Sequence, residues 1–197
     1  MLSAIILAAG ESRRFGDIKP LHKIKGKSFV EIILDVLEEL DAVSEIMLGL
    51  GYNHKVIARS LGAGYSKMKI VINPDPARGQ LSTLQECLKY CSSCKGFLVS
   101  LVDHPFVRKG TYIKMIDQFI RSGSKNIIIP VCKKKKGHPV IFPEDLKDAL
   151  LRAPLDQGAR WVVQQFTSRV EYVNVRDRFI LADIDRKQDL ETLAGAV

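Results

Sequence analysis

No stretch of this chain of 197 residues comes near the roughly 20 consecutive apolar residues that a bilayer-spanning helix needs. The apolar opening, residues 1–10, lacks the basic leading segment and the length of a secretory leader. It reads instead as a buried first strand, and the expected location is the cytoplasm, with no membrane partner. Acidic residues are in deficit: 22 Asp and Glu stand against 30 Lys and Arg, a net charge of +8. Such a field suits nucleic acid, an anionic surface or a small polyanion. The basic residues are not interleaved with aromatics as in a single-strand groove, and no helix-turn-helix or zinc-finger spacing is present. The expected partner is therefore a phosphate-bearing small molecule and not nucleic acid.

Cysteine is scarce as well. Cys91 and Cys94 form one C-x-x-C pair, with Cys87 before it and Cys132 far away, which is not the double pairing of a zinc ribbon. The pair closes a predicted helix, whereas a redox pair opens one after a strand. These read as ordinary thiols in a reducing compartment. No internal repeat or disordered linker interrupts the chain, which is expected to form one domain over residues 1–197.

What the chain does have is alternation. Strand-like runs at residues 3–8, 45–50, 69–73, 97–102 and 126–130 are separated by helical periodicity at 28–40, 54–61, 81–90 and 111–121. Ser28 with Glu31 three residues later spells a capping box. Phe29, Ile32, Ile33, Val36, Leu37 and Leu40 then follow the one-face rule of an amphipathic helix. The pattern predicts a three-layer, doubly wound α/β fold on a mostly parallel sheet. Beyond Pro130 a small hairpin insertion is expected, with arms 131–132 and 139–142 around the turn 133–137. Short helices at 144–151 and 157–166, a strand near 169–173, a strand-like run at 179–182 and a closing helix from Arg186 follow.

Ligands of open parallel sheets collect beyond the carboxyl ends of the strands. Two loops stand there. In the first, Ala8, Ala9 and Gly10 let the backbone approach a ligand closely, and Arg13, Arg14 and Lys19 supply charge for phosphate oxygens. Its spacing is neither a Walker A loop nor a Rossmann G-x-G-x-x-G. In the second, Asp103 ends a buried strand and is followed by His104 and Pro105, a suitable place for a hard cation such as Mg²⁺. Asp183-Ile184-Asp185 is a further acidic source, and Asp185 also precedes a helical stretch as a cap would. Spacing alone does not bring Asp103 and Asp185 together.

The run from Leu7 to Lys19 matches the pattern L-A-A/G-G-x-S-x-R-M-G-x-x-K with Phe15 in place of methionine. On this run the chain resembles the MobA-like nucleotidyltransferase family, and within it the molybdenum cofactor cytidylyltransferases. The resemblance continues through Asn73-Pro74, Gly79 with Ser82 and Leu84, Asp103-His104-Pro105, Gly137-His138-Pro139-Val140, Asp156 to Arg160, and Asp183-Ile184-Asp185. It departs at Pro154-Leu155, where glycine is frequent, and at Arg186-Lys187, where Thr-Pro is common.

The resemblance implies a nucleotide-diphospho-sugar transferase-like, Rossmann-like fold. It also implies a site in which Leu7, Ala8, Ala9, Gly10, Arg14, Lys19, Gly79 and Ser82 hold a nucleoside triphosphate. Asp103 and Asp185 would bind Mg²⁺, and Arg14, Lys19 and Asp103 would be catalytic. His138, Asp156 and Arg160 would face a phosphorylated pterin acceptor. The Ala8-Ala9 pair resembles cytidylyl members, where guanylyl members tend to carry L-A-G-G, so CTP is the expected donor. A molybdenum hydroxylase, or its chaperone, would be the recipient of the product.

Other readings stay open at this stage: the same fold with GTP or a sugar or polyol phosphate, or a non-catalytic protein that delivers a nucleotide or cofactor. Lys133, Lys134, Lys135 and Lys136 read either as a solvated turn or as a device that attracts an anionic acceptor.

Overall fold

The computed structural model of the chain describes residues 1–62, 64–92 and 94–193. In chain order the elements are β1 (Leu2–Ala8), the short strands β2 (Lys23–Ile24) and β3 (Lys27–Ser28), α1 (Phe29–Glu38), β4 (Val43–Leu50) and α2 (His54–Ser60). Then come β5 (Met68–Ile72), α3 (Gln80–Tyr90), β6 (Gly96–Leu101), α4 (Lys109–Arg121), β7 (Ile127–Cys132), β8 (Lys135–Lys136) and β9 (Val140–Pro143). The chain ends with α5 (Lys147–Arg152), α6 (Arg160–Gln165), β10 (Val170–Asn174) and α7 (Lys187–Leu193).

Seven strands lie in the order β10-β7-β9-β6-β1-β4-β5, and β8 pairs with β7 outside this path. The path is parallel except at β9, which runs against both β6 and β7. Side chains of β1 alternate between two cores. Ala4, Ile6 and Ala8 meet one that contains Phe29, Ile33 and Leu37 of α1 and Met115 and Phe119 of α4. Ile5 and Leu7 meet another that contains Leu84 and Leu88 of α3, Leu150 of α5 and Val162 of α6. Helices therefore cover both faces, and the two-residue period of a strand accounts for the continuous apolar run in β1. The capping box at Ser28 and Glu31 is formed as the sequence predicts.

Three local readings change. Residues 139–142 are not a hairpin arm of an insertion: Val140–Pro143 is buried throughout and fills the sheet between β6 and β7. The hairpin instead closes on the exposed Lys135–Lys136, which pairs with Val131 and Cys132. The strand-like run expected at 179–182 is a 3-10 turn, Arg178–Leu181, started by the Asp177 carboxylate, which accepts from the Phe179 N–H at 3.0 Å. The antiparallel pair β2–β3 was not foreseen; its signal is Lys25-Gly26, which turns the chain with positive φ at both residues.

One buried carboxylate ties the far edge of the sheet together. Glu45 on β4 accepts from the Ser3 hydroxyl of β1 at 2.7 Å, Lys69 of β5 at 2.9 Å and the Ser92 backbone N–H at 2.7 Å. Burial disfavours its charge, but these donors outweigh burial and hold the carboxyl below its ordinary value of 4.5. A depressed pKa contributes stability above the unfolded value, and the contribution is lost as pH falls through the folded one. Glu45→Ala is therefore expected to lower unfolding stability by about 2–3 kcal/mol near neutrality. In urea titrations the gap to the unaltered chain should narrow below about pH 4.5. A gap that is constant into strong acid would contradict this account.

Candidate active site

β1 and β6 are parallel neighbours with Leu7 opposite Leu101, so the loops that follow them leave the sheet side by side. The Val102 N–H donates to the Leu7 carbonyl at 3.2 Å and closes the gap between them. In the first loop, Ser12 adopts φ 62° and Gly16 φ 76°, and the Ser12 carbonyl accepts from the N–H groups of Phe15 and Gly16. Phe15 is 3% exposed and packs edge-on against His22 and Phe29, so this departure from the motif fills a core position. The loop is anchored by Phe15 and leaves Arg13 and Arg14 exposed.

The two loops enclose a cavity of about 380 Å³. Of the residues expected to hold a nucleotide, Leu7, Ala8, Ala9, Gly10, Arg14, Lys19 and Gly79 line it, together with Asp103 and Asp185. Ser82 does not line it. Its buried hydroxyl donates to the Gly79 carbonyl at 2.7 Å and accepts from the Asn73 amide at 2.8 Å. The same amide donates to Thr83 at 3.0 Å, so Asn73 at the end of β5 fixes the start of α3 against the cavity. From the same segment, Gln80 and Thr83 reach the wall.

A second cavity of about 590 Å³ shares Leu7 and Gln80 with the first. His138, Asp156 and Arg160, expected to face an acceptor, all line it beside the apolar side chains of Leu84, Leu101 and Phe142. The rings of His104 and His138, 5.5 Å apart, connect the Asp103 turn to a residue of this second wall. Burial, and then the neighbouring His104, push His138 down to about 4, so its ring is neutral near pH 7.

The charges of the first cavity are arranged in two groups. Asp185 bonds Arg14 at 2.6 Å and Lys19 at 3.0 Å. Burial opposes ionisation of Asp185, but these two cations hold its carboxyl below the ordinary range. Asp103, His104 and Asp183 form the other group, with one ligand atom from each lying within 4.8 Å of the others. Burial pushes the Asp103 carboxyl up, against the influence of His104, and Asp183 adds to the rise. Sequence reading paired Asp103 with Asp185; the structure sets Asp183 beside Asp103 and turns Asp185 to the basic loop.

Among the described residues, the buried side-chain polar atoms without a hydrogen-bond partner are Asp103 Oδ1 and His138 Nδ1. Buried polar groups are almost always satisfied, and exceptions point to a missing ligand or ion. Here the exceptions fall on the two candidate cavities.

Residues 4–171 match the model of the MobA-like NTP transferase domain. The chain belongs to the MobA-like NTP transferase family. A relative from Natranaerobius thermophilus, named "Probable molybdenum cofactor guanylyltransferase", is 32% identical over 137 residues. That match takes in 66% of this chain and 60% of the relative, so the chain spans about three-fifths of its length. The MobA-like fold is also seen in Rv0371c of Mycobacterium tuberculosis H37Rv, at TM-score 0.83 and 22% identity over 100% of both chains. A second structure of that protein, in complex with manganese, has TM-score 0.70 and 20% identity over 100% of this chain and 99% of that one. No helix among the described residues is long and apolar enough to cross a membrane.

In this MobA-like chain the acidic turn at 183–185 owes its place to contacts away from the cavity. Asp177 is buried, and its carboxylate accepts from the Arg108 N–H and the Thr111 hydroxyl, both at 2.8 Å, and from the Phe179 N–H at 3.0 Å. The Ile184 N–H then donates to the Asp103 carbonyl at 3.0 Å. A Cβ at Gly137 would stand 2.1 Å from the Ile180 carbonyl oxygen, so only glycine allows this approach. Asp177→Ala removes three bonds to a charged acceptor and is expected to lower unfolding stability by about 2–4 kcal/mol. It should also weaken divalent-cation binding, although Asp177 does not line the cavity. Unchanged cation affinity in a folded variant would show that the acidic turn is placed by other means.

Proposed function

We propose that this chain is a divalent-cation-dependent nucleotidyltransferase that moves CMP from CTP to the phosphate of molybdopterin and releases pyrophosphate. One observation carries the reading: a cavity lined by Arg14, Lys19, Asp103 and Asp185 adjoins a second, more apolar cavity with which it shares Leu7 and Gln80. A triphosphate fits the first and a phosphate-bearing pterin the second. The name of the Natranaerobius relative supports a molybdenum cofactor acceptor.

The oxygen donors of Asp103 and Asp183 suit a hard cation, Mg²⁺ in the first instance, and the unpartnered Asp103 Oδ1 is the atom that such an ion would satisfy. His104 adds a nitrogen donor that Mn²⁺ accepts more readily. When bound, the cation withdraws charge from the α-phosphoryl group. The chain's own residues do the rest. An acceptor phosphate oxygen forms a bond to the α-phosphorus while the bond to the bridging oxygen breaks and pyrophosphate leaves. Both reactants are anions, so the task is to neutralise and align them. Arg14 and Lys19 hold the departing pyrophosphate, and the N–H groups around Gly10 face its oxygens. The acceptor is already ionised and needs no general base. His138 is neutral, and its role is orientation.

Asp103→Asn is expected to reduce kcat by about 100-fold or more, the scale of a lost electrostatic contact in a transfer site. Metal-free nucleotide binding should change by no more than about threefold. Calorimetry in EDTA and pyrophosphate release with Mg²⁺ provide the two readings. Full turnover by the variant would remove Asp103 from the mechanism.

A second reading keeps the chemistry and replaces CTP with GTP, as the name of the curated relative suggests. The choice rests on Ala9, buried at 7% exposure on the cavity floor beside Gly51. Its methyl group takes space that L-A-G-G leaves open to a larger base. Pyrophosphate release with molybdopterin should favour CTP, and Ala9→Gly should shift the GTP-to-CTP ratio by about tenfold, the scale of one methyl group. Turnover with GTP alone would overturn the base assignment and leave nucleotidyl transfer standing. Absence of turnover with any nucleotide, despite tight binding, would favour a delivery protein.

A further inference from the structure

Among the described residues there are two hairpins with two-residue turns, and they differ in that only one has glycine at the second turn position. Between β2 and β3 the turn is Lys25-Gly26, at φ 50° and 88°. Between β7 and β8 it is Lys133-Lys134, at φ 49° and 65°. Positive φ at both central residues is the type I′ arrangement, for which Asn-Gly is preferred because a Cβ is strained there. The first hairpin uses glycine at the second position, and the second hairpin does not. Lysine at this position brings charge and gives up backbone ease.

That charge is set at a particular place. Lys135 and Lys136 pair with Cys132 and Val131, and the chain passes directly into Gly137 and His138. Lys136, Gly137 and His138 all line the second cavity. The Lys136 ammonium lies 4.7 Å from the centre of the Tyr172 ring, which holds that side chain at the rim. Lys133, Lys134, Lys135 and Lys136 are exposed, and among the described residues none has a carboxylate within 4.0 Å. Arg160 is a second cation lining that cavity, which the carboxylate of Asp156 also lines.

We infer that the 133–136 hairpin captures the acceptor: its lysines draw a phosphate-bearing small molecule to the mouth of the second cavity, where Lys136 receives it. This rests on the reading above that the second cavity takes the acceptor. A cluster that served only solubility would not need to continue into a cavity wall or to strain its own turn.

The strained turn supplies a variant whose effects on folding and on function have opposite signs. Lys133→Asn with Lys134→Gly installs the preferred turn and removes two charges. Its unfolding midpoint should rise by about 2–5 °C. In pyrophosphate-release assays, its KM for molybdopterin should rise about five- to tenfold at low ionic strength, with no change in the KM for CTP. The difference should vanish near 0.5 M salt, where screening acts within roughly 4 Å. Lys136→Met should raise the acceptor KM at both salt concentrations, because it stands at the wall.

An acceptor KM in the double variant that matches the unaltered chain at low salt overturns the inference and leaves the transferase reading intact. A KM defect of the double variant that persists undiminished at high salt also overturns it, since steering is screened. Normal KM combined with failure to pass product to a recipient enzyme would make the hairpin a protein-docking element instead. If the unaltered chain does not turn over molybdopterin with any nucleotide, the transferase reading falls and this inference falls with it.

Discussion

The arrangement of the site depends on the parallel pairing of β1 with β6. Ser3 through Leu7 run beside Phe97 through Leu101, so both strands end at one level and both following loops start there. One loop carries Arg13, Arg14 and Lys19; the other carries Asp103. Opposite charges are thereby held across a single cavity by backbone register, before any side chain is positioned. Register is strongly specified in this sheet because both faces of β1 are buried, and a one-residue slip would exchange Ile5 and Leu7 with Ala4 and Ile6 between two differently shaped cores.

Within that frame the basic loop is already neutralised in the free protein. Arg14 and Lys19 both bond Asp185, so the positions that a phosphate would occupy are balanced by a carboxylate from 166 residues further along the chain. Lys19 is nearly buried, and an unpaired ammonium there would be costly. Asp185 thus compensates Lys19 when no phosphate is present. The carboxylate therefore lets a cation stand at the cavity wall without being left unpaired.

What was legible in the sequence is what local chemistry decides. The Ser28 and Glu31 box, the one-face periodicity of α1 and the strand-ending Asp103 are set by near neighbours, and each is found where the pattern places it. The family too was legible, from the spacing of Leu7 to Lys19. Where side chains point outside regular structure was not. The resemblance gave the cation to Asp185, but the 3-10 turn before it and the Ile184 bond to Asp103 set Asp183 beside Asp103 and Asp185 beside Lys19. The resemblance made Ser82 a nucleotide ligand; its hydroxyl is instead committed to Gly79 and Asn73. Residues 140–143 misled for a related reason, since an apolar run does not show which strand it will pair with.

That strand matters to the site more than its length suggests. Because β9 runs against β6, with Val140 opposite Val99 and Pro143 opposite Gly96, its amino end lies near the carboxyl end of β6. A parallel β9 would have sent its preceding residues to the opposite edge of the sheet. The reversal instead brings Gly137 and His138 to the edge where Asp103 stands, with His138 5.5 Å from His104. The close approach of Gly137 to Ile180 then joins the reversed strand to the turn that carries Asp183. One antiparallel strand in a parallel sheet thus accounts for a second cavity that opens against the first. The proposed transfer brings two anions into line, and a uniformly parallel sheet would supply only one of the two walls it uses.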